Sequence, residues 1–268
     1  MNFFYQSLAA AGGLSAVSAG MKVSLKTDLL LAHDGTAGKL LQAWEASGRQ
    51  QVSARPKVVI TLDHQFPAPT AAARALHRQI QAFAARHGIA VYGHGEGVLH
   101  QVVAERATPR PGWIIAGADG HVSTSGAFGA IAFSLKPEEM VPVLATGALE
   151  IVVPDILRVG IRGRLPEGTD PHDVSLTLTG LIGRGLARGR AVMISGEGIR
   201  HLSPDGRMAV CNRIGETGAI TGLIVPPEED QRGEAFDVTL DAGEIVPVVA
   251  CPPDPTNIRP VKGWPGCP

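Results

Sequence analysis

The segment that decides the fold is residues 57–92, KVVITLDHQFPAPTAAARALHRQIQAFAARHGIAVY. It begins with a run of Val, Ile and Thr, residue types that favour strands. A helix is predicted next, because Leu76, Ile80 and Phe83 repeat at helical spacing before a terminating Gly88. A second short β-branched run follows. This order of strand, helix and strand predicts a mostly parallel sheet covered by helices on both faces.

The same alternation continues along the chain. Residues 97–107, GVLHQVVAERA, are predicted as a helix, and residues 112–119, GWIIAGAD, as a strand. Further on, a helix is expected to begin with Asp170 as N-cap and Pro171 at its first position. We predict two α/β domains, followed by a Pro-rich tail that lacks regular structure. Their bounds are residues 1–155, 156–250 and 251–268.

The composition does not indicate a nucleic-acid-binding, membrane-spanning or secreted protein. Of 268 residues 44% are hydrophobic, and the formal net charge of −1 gives no support for a nucleic-acid partner. No apolar run reaches the length of a membrane span, and residues 1–20 lack the basic start of a secretory signal. Cys211, Cys251 and Cys267 form neither a disulfide framework nor a zinc motif. We therefore expect a protein of the reducing cytoplasm.

Histidines and aspartates follow the predicted strands, at the edge where parallel sheets bind ligands. A carboxylate that accepts a proton from one imidazole nitrogen fixes the tautomer and raises the basicity of the other nitrogen. Such pairs suit proton transfer near neutral pH. The side chains concerned are those of Asp63, His64, His94, Asp119 and His121.

Several longer motifs carry a resemblance to a known family. They are GLSAVSAG at residues 13–20, LLLAHDGTAG at 29–38, VVITLDHQFPA at 58–68, GHGEGVLHQVVAE at 93–105, ADGHVSTSGAFGAIAF at 118–133 and MAVCNRIGETGAITGLIVPPEED at 208–230. In order and spacing the chain resembles the first two domains of the aconitase family, particularly the large subunit of 3-isopropylmalate dehydratase. The resemblance implies three-layer α/β/α domains. It also implies a hydro-lyase acting on a small hydroxy-di- or tricarboxylate.

The resemblance also implies site residues. Three pairs would act as acid–base groups: His64 with Asp63, His100 with Asp119, and His121 with Glu216. By family analogy His64 would help to protonate the departing hydroxyl, while His100 and His121 would orient the substrate and a cluster-bound water. The remaining cavity positions would be His33, Asp34, Gly120 and Asn212.

The chain departs from the family pattern at important positions. Gly120 stands where the family usually has Ser, and Val122 where it has Thr. The family holds a 4Fe–4S cluster through a Ser-Cys-Thr-Asn segment and a Cys-x-x-Cys segment, and neither occurs here. Cys251 and Cys267 suit a cluster poorly, because thiolates must converge on one face. The resemblance therefore implies a second polypeptide with the cluster-binding domain, and a small-subunit-like swivelling domain as a further partner.

Three interpretations of the function remain open from the sequence. The chain is either part of such an enzyme or a non-catalytic domain pair that serves as a binding or interaction module, since shared ancestry does not guarantee activity. A third reading is a cluster-independent lyase or isomerase. In that reading a divalent metal ion is held by His100, Asp119 and His121, because imidazole and carboxylate are common ligands.

Overall fold

The computed structural model describes residues 2–93, 95–183, 185–229 and 235–262, so His94 and Cys267 lie outside the described residues. No helix within these ranges has both the length and the apolar character that crossing a bilayer requires. The helices are α1 (Phe3–Gly12), α2 (Asp34–Ala46), α3 (Ala71–His87), α4 (Leu99–Val102), α5 (Pro137–Thr146), α6 (Pro171–Ile182), α7 (Glu197–Arg200) and α8 (Pro204–Asn212).

The strands alternate with these helices. They are β1 (Lys22–Lys26), β2 (Leu29–His33), β3 (Lys57–Thr61), β4 (Ala90–Tyr92), β5 (Ile114–Gly117), β6 (Ile131–Ser134), β7 (Ala148–Val152), β8 (Ile156–Arg162), β9 (Ala191–Ser195), β10 (Thr221–Ile224), β11 (Val238–Asp241), β12 (Val248–Ala250) and β13 (Ile258–Pro260). Within the described residues, 3-10 helical segments lie at Val122–Phe128, Arg213–Thr217 and Ala242–Glu244, and a π-helical turn lies at Val103–Ala107.

The first large sheet has five parallel strands in the order β4-β3-β2-β5-β6. Its central strand β2 is buried along its whole length, as expected for a leucine-rich run covered on both faces. His33 at the end of β2 lies opposite Thr61 at the end of β3. The loops after these strands therefore leave the same edge of the sheet. The predicted mostly parallel α/β architecture is confirmed.

Alternate side chains of this sheet pack into two separate cores. Leu30 and Ile114 belong to the core that contains the buried faces of α2, α3 and α5. Leu31 and Ile115 belong to the core that contains α4 and the turn after it. Because successive strand residues point to opposite faces, this alternation produces the three-layer arrangement.

Local signals place most elements where the sequence predicts them. The Thr70 hydroxyl accepts the Ala73 N–H at the start of α3, and Gly88 ends that helix with φ +67°. The predicted helix over residues 97–107 differs: only its first turn is α-helical, and a π-helical turn follows at Val103–Ala107. The Thr108 N–H closes this wider turn on the Val103 carbonyl, and Val103 and Ala107 are both buried.

The second large sheet has four parallel strands in the order β10-β9-β8-β11. Helix α6 begins as the sequence predicts, because the Asp170 carboxylate accepts the N–H groups of His172 and Asp173. A smaller antiparallel pair joins β1 to β7. Along the chain, α8 and the 3-10 segment Arg213–Thr217 come directly before β10, which is an edge strand of this sheet.

The prediction that residues 251–268 lack regular structure is wrong for part of that segment. Strand β13 pairs antiparallel with β12, and Ile258 lies opposite Ala250. The apolar side chain of Ile258 packs against α6 at Gly180. The approach is so close that a Cβ added to this glycine would lie only 2.8 Å from Ile258. Packing of this half-buried isoleucine on α6 explains why a Pro-rich segment forms a short edge pair, a position that tolerates proline.

The 3-10 segment Val122–Phe128 connects the two sheets. The Ser123 hydroxyl donates to the Cys211 carbonyl at 2.8 Å, and the Asn212 amide donates to the Thr124 hydroxyl at 2.9 Å. A Cβ on Gly126 would lie 2.0 Å from the carbonyl oxygen of Gly222 in β10. Only glycine permits this approach, which fixes the loop after β5 against the second sheet.

Candidate active site

The loop after β3 carries a paired carboxylate and imidazole. Asp63 Oδ1 lies 2.8 Å from His64 Nδ1, and Asp63 Oδ2 accepts the N–H of Leu99 at the start of α4. The Asp63 side chain is almost buried, whereas 50% of the His64 side chain is exposed. A fixed carboxylate therefore orients an imidazole that remains half exposed.

Asp119 lies between two imidazoles beyond the end of β5. Its two oxygens lie 3.3 Å from His33 Nε2 and 3.2 Å from His100 Nε2, and its side chain is only 8% exposed. Burial alone would raise the pKa of Asp119, but the hydrogen bonds from His100 and His33 outweigh burial and hold the pKa far below its usual range. Asp119 is therefore an anion throughout the neutral pH range.

The tautomer of His33 follows from its position as N-cap of α2. Its Nδ1 accepts the N–H of Gly35 at 3.2 Å, so the proton of the neutral ring lies on Nε2, facing Asp119. The His33 ring stacks on that of His64, with centroids 3.7 Å apart and planes 18° apart. A Cβ on Gly35 would lie 2.9 Å from the His33 ring, so this close arrangement requires glycine.

His121 connects the two sheets through a third pair. Its Nε2 lies 3.5 Å from Glu216 Oε1, and Glu216 Oε2 accepts a hydrogen bond from Arg213 at 2.8 Å. The backbone N–H of His121 donates to Asp119 Oδ1. The His121 side chain is 45% exposed, so its ring is oriented but remains accessible.

A buried pair supports these loops from beneath. Asp34 Oδ1 accepts the N–H of His64 at 2.9 Å, and Asp34 Oδ2 accepts from the Gln65 N–H at 2.8 Å and lies 2.9 Å from His77 Nε2. Burial would raise the pKa of Asp34, but these hydrogen bonds lower it. Asp34 therefore holds the Asp63–His64 loop in place as a buried anion.

The structure brings the predicted site residues into one continuous network of contacts. The network runs from Asp63 to His64, through the ring stack to His33, then through Asp119 to His100, and by His121 to Glu216. Each predicted pair, His64 with Asp63, His100 with Asp119, and His121 with Glu216, is in contact. Their chemical roles remain predictions.

The two other predicted positions lie beside this network. Asn212 hydrogen-bonds Thr124 and, with His100 and Arg213, lines a cavity of about 390 Å³ between the two sheets. Nothing lies within 4 Å of the position that a Cβ on Gly120 would take. Apart from its two chain neighbours, the space beside Gly120 is therefore open.

Two residues of the network were missed by sequence reasoning. His77 lies on α3 at helical spacing from the buried Ala73, Ile80 and Ala84, so the periodicity of the helix indicated a buried histidine. Arg213 neighbours Asn212 within the quoted motif, but its contact with Glu216 depends on the 3-10 turn that follows α8.

The cysteines of the described residues do not fit an iron–sulfur cluster. Clusters are held by converging thiolates. Cys211 is completely buried in the core of the second sheet, and this burial raises the pKa of its thiol to about 12. Cys251 is buried beside the β12–β13 pair. A thiol enclosed in an apolar core offers no face on which other cluster ligands could converge.

The fold and the site define a class of protein. The Aconitase family (aconitate hydratase) profile matches residues 11–233, which is most of the chain. The chain therefore belongs to the aconitase family.

Individual relatives are similar over almost the whole chain. It is 38% identical to 3-isopropylmalate dehydratase large subunit 1 of Methanopyrus kandleri, over 95% of this chain and 65% of that protein. It is 34% identical to the probable methanogen homoaconitase large subunit of Methanothermobacter thermautotrophicus, over 97% of this chain and 67% of that protein. The chain thus spans about two thirds of the length of these relatives.

A solved structure shares the fold. Thermococcus kodakaraensis aconitase X, in its holo-form, superposes with a TM-score of 0.52 and 13% sequence identity, covering 88% of this chain and 61% of that chain. At this identity the likeness concerns the fold alone.

Proposed function

We propose that this chain supplies acid–base groups to an aconitase-type hydro-lyase that removes water from, and adds it to, a small hydroxy-di- or tricarboxylate. The observation that carries the proposal is the continuous network from Asp63 to Glu216, which is built from separate loops at the ends of parallel strands. Relatives named as a dehydratase and a homoaconitase support the reaction class.

In the dehydration direction a C–O bond breaks and the leaving hydroxyl needs a proton. His64 suits this role, because the Asp63 carboxylate on Nδ1 stabilises the imidazolium and leaves Nε2 as the acid. Transfer of that proton to the departing oxygen produces water and a neutral imidazole. The base that removes the carbon-bound proton is proposed to come from outside these residues.

The second group of residues is proposed to hold the substrate and the water. His100 is paired with Asp119, and His121 is paired with Glu216. Gly120 leaves room between them for a substrate oxygen. His33, Asp34 and Asn212 are proposed to keep these loops in register through their hydrogen bonds.

Partners follow from the same proposal. Because the described cysteines do not fit a 4Fe–4S cluster, we place its ligands on polypeptide beyond these 268 residues. A partner chain would carry the cluster-binding domain, together with a small-subunit-like swivelling domain. We propose that the chain and its partner act in the cytoplasm, since the three cysteines of this chain form no disulfide framework.

Co-expression tests the proposal. The chain would be produced with polypeptides from adjacent reading frames, purified without oxygen, and assayed with 3-isopropylmalate for formation of an unsaturated product. We expect turnover in the complex, and a loss of about 10²- to 10⁴-fold for His64→Ala. His201→Ala, at an exposed histidine directly after α7, is the matched control and should keep full turnover.

Two outcomes would contradict the proposal. Equal turnover of the His64→Ala complex and the unchanged complex would exclude His64 as the acid. A folded chain that binds no cluster-bearing partner and shows no turnover would support the reading as a non-catalytic interaction module.

A further inference from the structure

A cavity of about 560 Å³ lies beside the second large sheet, and its described lining contains no residue of the histidine network. Three elements form its walls. Helix α6 contributes Gly180 and Leu181, the strand β11 contributes residues 239–241, and the β12–β13 pair contributes Val248 and Ile258. A volume of this size lies within the usual range of ligand sites. We call this cavity the β11 groove.

One wall of the β11 groove is the unpaired edge of a sheet. In the order β10-β9-β8-β11 the last strand pairs with β8, and within the described residues no strand pairs on its other side. The Leu240 side chain is buried in the core of the second sheet, whereas Thr239 and Asp241 are exposed. An edge strand presents unused backbone N–H and C=O groups, which pair readily with an added strand.

The other walls of the groove are apolar and partly exposed. Leu181 on α6 is 42% exposed, and Val246 in the loop before β12 is 47% exposed. Large apolar side chains exposed around one cavity mark an interaction surface. Thr177, which also lines the groove, has a buried hydroxyl without a hydrogen-bond partner in the part of the chain that the structure describes. A buried polar group without a partner is costly, so an occupant that hydrogen-bonds to it is favoured.

The charges at the groove favour a basic occupant. Asp241 ends β11 and Glu244 follows in the next turn, and both side chains line the groove and are exposed. Asp241 Oδ1 accepts the Gly243 N–H at 2.8 Å. Neither carboxylate belongs to an ion pair among the residues that the structure describes. A Lys or Arg of an occupant would therefore find two carboxylates that are not yet neutralised.

Strand addition accounts for all of these features. We infer that the β11 groove binds an extended segment of another polypeptide, which pairs with the free edge of β11. Because successive side chains of a strand point to opposite sides, every second apolar side chain of the segment faces Leu181 and Ile258. A Lys or Arg at one end of the segment lies beside Asp241 and Glu244. Backbone hydrogen bonds supply the affinity, and the alternating side chains supply the specificity.

A synthetic peptide tests the inference on the full chain without any partner. The probe is acetyl-Lys-Val-Thr-Val-Thr-Val-amide, and its binding is followed through the backbone amide resonances of isotope-labelled chain. We expect shifts at Thr239 and Val246 that saturate by about 1 mM peptide. A second probe with Pro in place of both Thr residues should not bind, because proline has no N–H for the strand ladder. A third probe with Glu in place of Lys should bind several-fold more weakly, because it meets Asp241 and Glu244.

Variants of the groove test its apolar walls. The Leu181→Gln and Val246→Gln double variant removes two apolar contacts and should bind the first probe about 10-fold more weakly or worse. Val152→Gln is the matched control, because this valine is 53% exposed on β7 and does not line the groove, and it should leave the affinity unchanged. Circular dichroism verifies that each variant is folded.

Several outcomes would overturn the inference. They are the absence of saturable shifts, equal binding of the proline probe, and unchanged affinity in the folded double variant. A dimer of the chain that dissociates in the double variant would assign the groove to a second copy instead. Tighter binding of the first probe by Trp264→Ala would assign it to residues 263–268 of the chain itself. No measurement here involves turnover, so the proposed hydro-lyase reaction is tested separately.

Discussion

His77 on α3 and Asp34 at the start of α2 meet at 2.9 Å, in an interior where the Asp34 side chain has no exposed surface. The same carboxylate accepts the backbone N–H groups of His64 and Gln65. Helix α3 is thereby connected to the loop that carries the candidate acid. His77 touches no reacting group in this arrangement and acts as a positioning residue.

Replacing His77 by Leu should destabilise the protein strongly. The substitution leaves the buried Asp34 carboxylate without its hydrogen bond from the imidazole, and an unsatisfied buried charged group costs about 3 kcal/mol. Urea denaturation followed by circular dichroism measures the free energy of unfolding. His172→Leu is the control, because that histidine pairs with Asp170 at the surface, 3.6 Å away, and should change the free energy by less than about 1 kcal/mol. Similar losses in both variants would contradict a special role for the buried pair.

Stability should fall in acid because of two carboxyls whose pKa is lowered on folding. Asp34 and Asp119 both have a pKa below the ordinary value of 3.8. As the pH falls toward and below 3.8, the unfolded chain binds protons that the folded chain does not, so the free energy of unfolding decreases. This contribution is fully present above about pH 5 and is lost as the pH falls toward the folded pKa values. The urea concentration at the midpoint of unfolding, measured between pH 7 and pH 3, should therefore decrease as the pH falls.

Asp119→Asn provides the comparison for the acid effect. The variant lacks one of the two groups, so its urea midpoint should decrease less steeply between pH 5 and pH 3 than that of the unchanged chain. Parallel curves for the two proteins would show that Asp119 does not contribute to the acid sensitivity.

Much of the local structure could be predicted because its signals are local. The Val and Ile run of β3, the apolar spacing of α3 and the terminating Gly88 are all read within a few residues. Asp170 and Pro171 likewise start α6 through contacts inside its first turn. These features depend on neighbouring residues, which the sequence displays directly.

The contact between His33 and Asp119 could not be predicted in this way. It exists because β2 lies beside β5, with Leu31 paired to Gly117, although these two residues are 86 positions apart in the chain. Strand order is set by packing of the whole sheet, and no local motif specifies it. The β12–β13 pair was missed for a similar reason, because Ile258 depends on a distant surface of α6.

Adding one methyl group at Gly126 should separate the two sheets. A Cβ at this position would lie 2.0 Å from the Gly222 carbonyl oxygen, so Gly126→Ala forces β10 or the 3-10 segment to move. Overpacking of this kind costs about 1–3 kcal/mol, and the contact with rigid backbone places the expected loss at the upper end. Gly120→Ser is the matched control, because its Cβ would meet nothing within 4 Å and should change stability by less than about 0.5 kcal/mol. Thermal unfolding of both variants measures these changes in stability. An unchanged stability of Gly126→Ala would show that the contact between the two sheets is less tight than described.

Cys211 should resist alkylation in the native protein. Its thiol is completely buried, and a pKa raised to about 12 leaves about one thiol in 10⁴ ionised at pH 8. Native protein treated with iodoacetamide should therefore yield an unmodified Cys211 peptide by mass spectrometry, and the same treatment in urea should modify it fully. Rapid alkylation of Cys211 in the folded chain would instead indicate an accessible thiolate, and the argument that its sulfur cannot hold a cluster would no longer stand.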